Sequence, residues 1–226
     1  HNRKIHAMGG MSALIPGKDE SENKKILDKV LKDKKTEISE GCDGAWVAHP
    51  HLIEPIKNLF VNSLQNGANQ ISSEVNKDVQ ISPESLQNIS ELTKYSNYSE
   101  SNIRNNLSVS LQYLYEWLNG NGAASINGVM EDMATCEISL FQIKQWLHHK
   151  IFYKEAVSYK RFSKEPFLEI LDQEYSCLSS KMNVQNNKMT SAKEIIKNYV
   201  LDLDSNFLVE KADEYLHLRH NFQGIR

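Results

Sequence analysis

The sequence predicts a mainly α protein with a small α/β part at its N-terminal end. Up to about residue 64, short apolar segments bounded by glycine or proline alternate with helical periodicity, as in parallel strands joined by helices. Beyond that point helix start signals and helical spacing dominate. The segment 66–82, rich in Asn, Gln and Ser, is the candidate boundary, so we predict domains at 1–64 and 65–226.

Two strands and two helices are predicted in the first part. Residues 1–17 contain paired glycines and end at Pro-Gly, so we expect a short strand or loop with close backbone packing. Helical spacing of apolar residues predicts a surface helix over 21–39. The apolar run 45–48 predicts a buried parallel strand. A helix over 51–64 follows, with Pro55 in its first turn.

Helices alone are predicted after the boundary. Ser82 caps one helix, and Ser99 or Ser101 caps another that runs to Leu118 and ends at an Asn-Gly-Asn-Gly turn. Further helices are predicted over 134–152, 165–181, 191–202 and 205–219. The third of these has a capping box at Ser191–Glu194, and the polar stretch 179–190 before it is predicted to be a long loop.

Composition excludes several classes of protein. The 26 basic and 29 acidic residues give a net charge of -3, so no large positive field would attract nucleic acid. The three cysteines are widely spaced and contain no Cys-x-x-Cys pair, which argues against disulfides and zinc and favours a reducing compartment. No apolar stretch is long enough to cross a membrane. The chain begins at His1, and we expect a piece of a longer protein.

Each candidate feature also has an ordinary structural interpretation. The acidic pair Glu131-Asp132 precedes an amphipathic helix, where carboxylates normally cap the helix or offset its dipole. Trp46 lies in an apolar run, as core tryptophans do. The pairs His49/His51 and His148/His149 are not expected to bind a metal ion. Pro50 splits the first pair, and adjacent residues on a helix, such as His148 and His149, point in different directions.

Several of these features occur together and in a fixed order. They are His6-Ala7-Met8-Gly9-Gly10-Met11, Asp43-Gly44-Ala45-Trp46-Val47-Ala48-His49-Pro50, Arg104-Asn105-Asn106, Gly120-Asn121-Gly122, and Met130-Glu131-Asp132 with Ala134, Thr135 and Glu137. This combination resembles the malate synthase family of the glyoxylate cycle. The resemblance runs from about residue 5 to about residue 152, and the last third matches only as a helical tail.

The resemblance implies a fold. In that family a (β/α)8 TIM barrel holds the substrates, and a C-terminal helical domain closes over the barrel mouth. Residues 1–64 would then be the last strands and helices of the barrel, and 65–226 would be the helical plug. Trp46 would lie near the C-terminal end of a barrel strand, where barrel enzymes keep their active sites.

The resemblance also implies a reaction and its residues. The reaction is the Claisen condensation of acetyl-CoA with glyoxylate, followed by hydrolysis to malate and CoA. Asp132 would be the catalytic base, Trp46 would pack against the reacting groups, and the backbone around Ala48 and Met130 would line the pantetheine path. By the family's order, the Mg²⁺ ligands and the arginine facing the enolate lie upstream, so no metal ligand is expected in this chain.

Two alternatives remain open from the sequence. One is a non-catalytic helical interaction domain that keeps these motifs for packing. The other is a related acyl-CoA lyase or synthase that uses the same base with another acceptor. The C-terminal residues are not a Ser-Lys-Leu type address, so a cytoplasmic location is expected. The sequence makes no prediction of oligomeric state.

Overall fold

A computed structural model describes residues 3–17, 19–64, 67–73, 80, 82–88, 98–182 and 187–223, with side chains described as far as residue 216. The chain forms two compact units. The first contains residues 1–91 together with 127–130, and the second contains 92–126 and 131–226. The observed fold is mostly helical, with a small α/β part near the N-terminus, as the sequence predicts.

The first unit contains a parallel pair of strands joined by a helix. Strand β1 (Met8–Ser12) pairs with β2 (Gly44–Val47), and α1 (Glu20–Ser39) connects them. These elements confirm a strand in the first segment, a parallel strand near 45–48 and the helix. The expectation that the second strand is buried is wrong, because β2 is half-buried at Gly44, Ala45 and Val47 and exposed at Trp46. The Asp19 side chain caps α1 by accepting hydrogen bonds from two backbone N–H groups, so the helix begins just before the predicted residue 21.

A second helix completes the apolar core of this unit. The 3₁₀ turn Pro50–Leu52 leads into α2 (Ile53–Ser63), which confirms the helix predicted over 51–64. The core is built from side chains of α1, α2 and the turn between β2 and α2: Val30, Leu52, Ile56 and Phe60. The short helix α3 (Pro83–Gln87) begins at the predicted Ser82 cap.

The second unit is a group of packed helices around α4 (Glu100–Leu118). Ser99 caps α4, and the predicted apolar face of the helix is fully buried at Ile103, Leu107 and Leu111. The other helices among the described residues of this unit are α5 (Met133–His148), α6 (Lys164–Lys181), α7 (Asn187–Leu201) and α8 (Leu208–Gln223). Helices α5, α6 and α7 all pack against α4.

The expectation that strands stop after the N-terminal part is wrong. Two hairpins occur, β3 (Ala123–Ile126) with β4 (Val129–Asp132), and β5 (Phe152–Glu155) with β6 (Ser158–Arg161). The first turn has Asn127 and Gly128 at φ of 52° and 75°, which is the Asn-Gly signal for a two-residue hairpin. Four-residue strands are too short for alternation to reveal them.

Two predicted helix limits and the extent of one predicted loop are also wrong. Helix α5 ends at His148 rather than 152, where the β5 hairpin follows. Helix α7 starts at Asn187, so Ser191 is no cap, and its hydroxyl donates to the Asn187 carbonyl inside the helix. The loop predicted over 179–190 is shorter, because α6 continues to Lys181. Leu178 and Met189 are buried in the core, so the helices extend into a stretch whose sequence is mostly polar.

Candidate active site

Asp132 is the N-cap of α5. Its Oδ1 accepts a hydrogen bond from the Thr135 N–H at 2.9 Å, and the Thr135 hydroxyl oxygen accepts one from the Asp132 N–H at 2.9 Å. The Thr135 hydroxyl also lies within donating distance of the Asp132 carbonyl, at 3.0 Å. The Asp132 side chain is exposed to solvent. The capping interpretation of Asp132 therefore describes a real contact.

Only one of the two oxygens of the Asp132 carboxylate takes part in the helix cap. The described residues provide no hydrogen-bond partner for Asp132 Oδ2. Because a carboxylate carries two acceptor oxygens, one can hold the helix end while the other receives a proton. The arrangement is compatible with both a structural and a chemical role for Asp132.

Buried groups fix the helix behind Asp132. Cys136 lies fully buried one turn later, and burial raises the pKa of its thiol to about 12. Tyr113 on α4 is also fully buried, and its hydroxyl donates to the Gly122 carbonyl at 3.0 Å. Burial, followed by the nearby charges of Cys136 and Asp132, raises the pKa of Tyr113 to about 12. The start of α5 is therefore packed against the buried core of the second unit.

Glu137, another member of the acidic motif, has structural partners. Its Oε1 accepts hydrogen bonds from the Tyr199 hydroxyl at 3.4 Å and from the Leu208 N–H at 3.2 Å. Leu208 is the first residue of α8, so Glu137 satisfies a helix N–H that has no partner within its own helix. This role was not evident from sequence, because the two residues are 71 positions apart.

The Arg104 motif also joins helices. Arg104 forms ion pairs with Glu100 at 2.6 Å and Glu174 at 2.9 Å, and it donates to the Gln173 side chain. These contacts link α4 to α6. Asn106 donates to the Gln142 side chain at 2.9 Å and so links α4 to α5. Both motif residues therefore stabilise the helical unit.

Trp46 lies in the first unit and is largely exposed, with 67% of its surface accessible. The interpretation of Trp46 as ordinary core is therefore wrong. Ala48, just after the strand, is half-buried. Met130 is half-buried too, and its N–H donates to the Ala13 carbonyl at 2.9 Å. Trp46, Ala48 and Met130 belong to the first unit, whereas Asp132 belongs to the second.

Asp43 organises the turn before β2. Its carboxylate accepts hydrogen bonds from the Gln70 N–H and, at 2.9 Å, from the His6 ring. Burial acts to raise the pKa of Asp43, but these hydrogen bonds outweigh it and the pKa lies below its ordinary value. The Asp43 motif residue thus fixes the loop that leads to Trp46.

Sequence reasoning missed an open apolar cavity of about 510 Å³ in the first unit. It lies between β2 and α2 and is lined largely by aliphatic and aromatic side chains, among them Ala45, Val47, Ile53, Ile56, Phe60 and Val61. No sequence pattern reveals such a cavity, because the residues that line it come from separate strands and helices.

Neither a metal site nor a membrane span occurs in the described part of the chain. Within the described ranges, no group of three or more His, Cys, Asp or Glu side chains is arranged to hold a metal ion. The described helices include none with the length and apolar character needed to cross a bilayer.

Two family models match the chain. Residues 1–89 match the malate synthase TIM barrel domain, and residues 97–215 match the malate synthase C-terminal domain. The malate synthase A of Escherichia coli is 37% identical over 182 residues, which is 80% of this chain and 33% of that protein. A malate synthase of Myxococcus xanthus is 43% identical over 150 residues, 66% of this chain and 27% of that protein.

A third relative, a glyoxysomal malate synthase of Candida tropicalis, is 39% identical over 181 residues, 79% of this chain and 32% of that protein. The chain thus spans about a third of the length of these three relatives. The C-terminal family model alone covers more than half of the chain, and the sequence motifs around Trp46 and Asp132 fall within the matched regions. The chain therefore belongs to the malate synthase family.

Proposed function

We propose that this chain is the C-terminal part of a malate synthase, which condenses acetyl-CoA with glyoxylate and releases malate and CoA. The family matches along both parts of the chain support this proposal. The observation that carries it is the position of Asp132. This motif carboxylate is exposed at the start of α5, and only one of its oxygens is used by the cap.

Asp132 would act as the general base. It would take a proton from the methyl group of acetyl-CoA, and the electrons of the broken C–H bond would form the enolate. The enolate carbon would then bond to the aldehyde carbon of glyoxylate, and water would cleave the resulting thioester to malate and CoA. A thioester methyl is a weak carbon acid, so the base must be held within hydrogen-bond reach of it.

We propose that residues 1–64 are the last strands and helices of the barrel, and that 65–226 form the helical domain that carries the base. The parallel pairing of β1 with β2 through α1 supports the first assignment, because it is the repeating unit of such barrels. Trp46 would pack against the reacting groups, and its exposure leaves its ring available for that contact. The backbone at Ala48 and Met130 would line the pantetheine path.

The Mg²⁺ of the reaction is proposed to bind upstream of this chain. The described residues contain no group of three or more His, Cys, Asp or Glu side chains arranged to hold a metal ion. When bound, Mg²⁺ would polarise the glyoxylate aldehyde as a Lewis acid. The substrates acetyl-CoA and glyoxylate are the proposed partners.

We propose a reducing compartment such as the cytoplasm. Cys42, Cys136 and Cys177 are all free thiols, which is typical of proteins in such a compartment. Relatives include a bacterial protein and one named as glyoxysomal. Imaging the full-length protein as a fluorescent fusion tests the location.

The decisive experiment uses the full-length protein and its Asp132→Asn variant. Asparagine caps a helix about as well as aspartate but accepts no proton, so kcat should fall by about a hundredfold or more with little change in melting temperature. Glyoxylate-dependent release of CoA from acetyl-CoA is the measurement. Near-normal turnover by Asp132→Asn would mean that Asp132 only caps the helix.

The same assay separates the two rival functions. A helical interaction domain without catalysis predicts no CoA release by the full-length protein with any acceptor. A related acyl-CoA lyase or synthase predicts CoA release with another aldehyde or keto acid in preference to glyoxylate. A panel of such acceptors therefore distinguishes all three functions.

A further inference from the structure

Asp132 and Thr135 are tied together in both directions. The Thr135 N–H donates to Asp132 Oδ1, while the Thr135 hydroxyl oxygen accepts the Asp132 N–H, each at 2.9 Å. The hydroxyl lies 3.0 Å from the Asp132 carbonyl, where it can donate its own proton. One threonine therefore contacts the side chain, the N–H and the carbonyl of Asp132.

These contacts fix where the other carboxylate oxygen points. With Oδ1 bound to the Thr135 N–H, rotation of the Asp132 carboxylate is restricted, and the contacts of the hydroxyl restrict the Asp132 backbone. Thr135 is itself well anchored, because the next residue, Cys136, is fully buried against the core of this unit. The position of Oδ2 is therefore set relative to a helix that is packed into the core at Cys136.

We infer that Thr135 is a positioning residue for the catalytic base, and that its hydroxyl aims Asp132 Oδ2 at the methyl group of acetyl-CoA. This inference rests on the proposed function of Asp132. Thr135 neither touches the substrate nor transfers a proton in this role. Its effect comes from geometry, because a displacement of about 1 Å at a reacting group can reduce a rate by about a hundredfold.

The test compares Thr135→Val with Thr135→Ser in the full-length protein. Valine has nearly the shape of threonine without the hydroxyl, and serine keeps the hydroxyl. We expect kcat to fall by about tenfold in Thr135→Val, with KM for acetyl-CoA within about twofold, and Thr135→Ser to stay within about threefold of the native rate. If the valine variant does not fold, Thr135→Ala also removes the hydroxyl and is expected to show the same fall in kcat.

An isotope effect distinguishes positioning from stability. If Thr135→Val slows proton removal, acetyl-CoA carrying a trideuterated methyl group should show a larger primary isotope effect on turnover than it does with the native protein. A purely structural role would lower the melting temperature but leave the isotope effect unchanged. Native kcat and an unchanged isotope effect in Thr135→Val would overturn the inference.

The chain provides a matched control. Ser82 and Ser85 form a similar reciprocal capping box at α3, with hydrogen bonds of 3.1 and 3.2 Å. Ser85→Ala removes the contacts of the Ser85 hydroxyl with the Ser82 N–H and carbonyl and keeps the bond from the Ser85 N–H to the Ser82 hydroxyl, just as Thr135→Val keeps the Thr135 N–H. Because it lies far from the proposed base along the chain, it should leave kcat and the isotope effect unchanged. Equal loss of kcat in Ser85→Ala and Thr135→Val would overturn the inference, because it would indicate general destabilisation.

Asp132→Asn separates failure of this inference from failure of the proposed function. If Asp132→Asn is inactive and Thr135→Val turns over normally, Asp132 remains the base and only the role of Thr135 is wrong. If Asp132→Asn turns over normally, both are wrong. Inactive Asp132→Asn with a slow Thr135→Val and a near-native Thr135→Ser is the expected result.

Discussion

The carboxylate of Glu137 accepts a hydrogen bond from the backbone N–H of Leu208 at 3.2 Å, across 71 residues of sequence. The first N–H groups of a helix lack partners within the helix, and Glu137 supplies one for α8 from the middle of α5. The Tyr199 hydroxyl shares the same oxygen at 3.4 Å. The helix that carries the proposed base is thereby connected to α7 and α8.

Glu137→Ala should lower the stability of the helical unit by about 1–2 kcal/mol, because it removes the acceptor of the Leu208 N–H and leaves the buried Tyr199 hydroxyl only the longer contact with the Asn206 carbonyl, at 3.5 Å. Glu137→Gln keeps an amide oxygen that can accept both hydrogen bonds, so it should lose less. Chemical denaturation of the two variants and the native chain checks this. Equal stability of Glu137→Ala and the native chain would contradict the assigned contact.

Alkaline pH should destabilise the helical unit through two tyrosines. Burial is the largest cause that raises the pKa of Tyr113 and Tyr199 from 10 to about 12, since it disfavours the charged form. The fold favours the neutral hydroxyls, so this stability is fully present below pH 10 and is lost as the pH rises through about 12.

A spectroscopic titration of tyrosinate tests that expectation. Tyr113 and Tyr199 should ionise late and together with unfolding, and burial also raises the pKa of Tyr153. Tyr199→Phe should remove one of these late ionisations. Ionisation of every tyrosine near the ordinary value, with the fold intact, would contradict the burial of these two hydroxyls.

The cysteines should differ in reactivity toward a thiol reagent. Cys136 is fully buried, and burial raises its pKa to about 12, whereas Cys177 is exposed. Because the thiolate is the reactive form, brief treatment with a maleimide at neutral pH should modify Cys177 and leave Cys136 intact until the chain unfolds. Mass spectrometry of the digested chain measures both. Modification of Cys136 as fast as Cys177 would show that this core opens readily.

The chain of residues 1–226 by itself should make no malate from acetyl-CoA, glyoxylate and Mg²⁺. It spans about a third of the length of its relatives, and the proposed Mg²⁺ ligands lie outside it. The full-length protein in the same assay is the positive control. Magnesium-dependent malate formation by residues 1–226 alone would place the whole catalytic apparatus within this chain.

Sequence patterns located most helices because helix formation repeats over several turns. Leu107 and Leu111 follow the 3.6-residue period, and the structure buries both. The Ser99 cap was also readable, because it depends on backbone groups only three residues away. The two hairpins were not recognised, although Asn127-Gly128 carried a local turn signal, because their strands are only four residues long.

For the candidate site, the sequence by itself determined that Asp132 would precede a helix and that the motifs resemble one family. Both are properties of neighbouring residues. Only the tertiary structure decided that Trp46 is exposed, that Arg104 reaches Glu174 and that Glu137 binds the start of α8. Those contacts depend on side chains brought together from distant segments. No local pattern encodes them, because the partners lie far apart in the sequence and meet only in the packed fold.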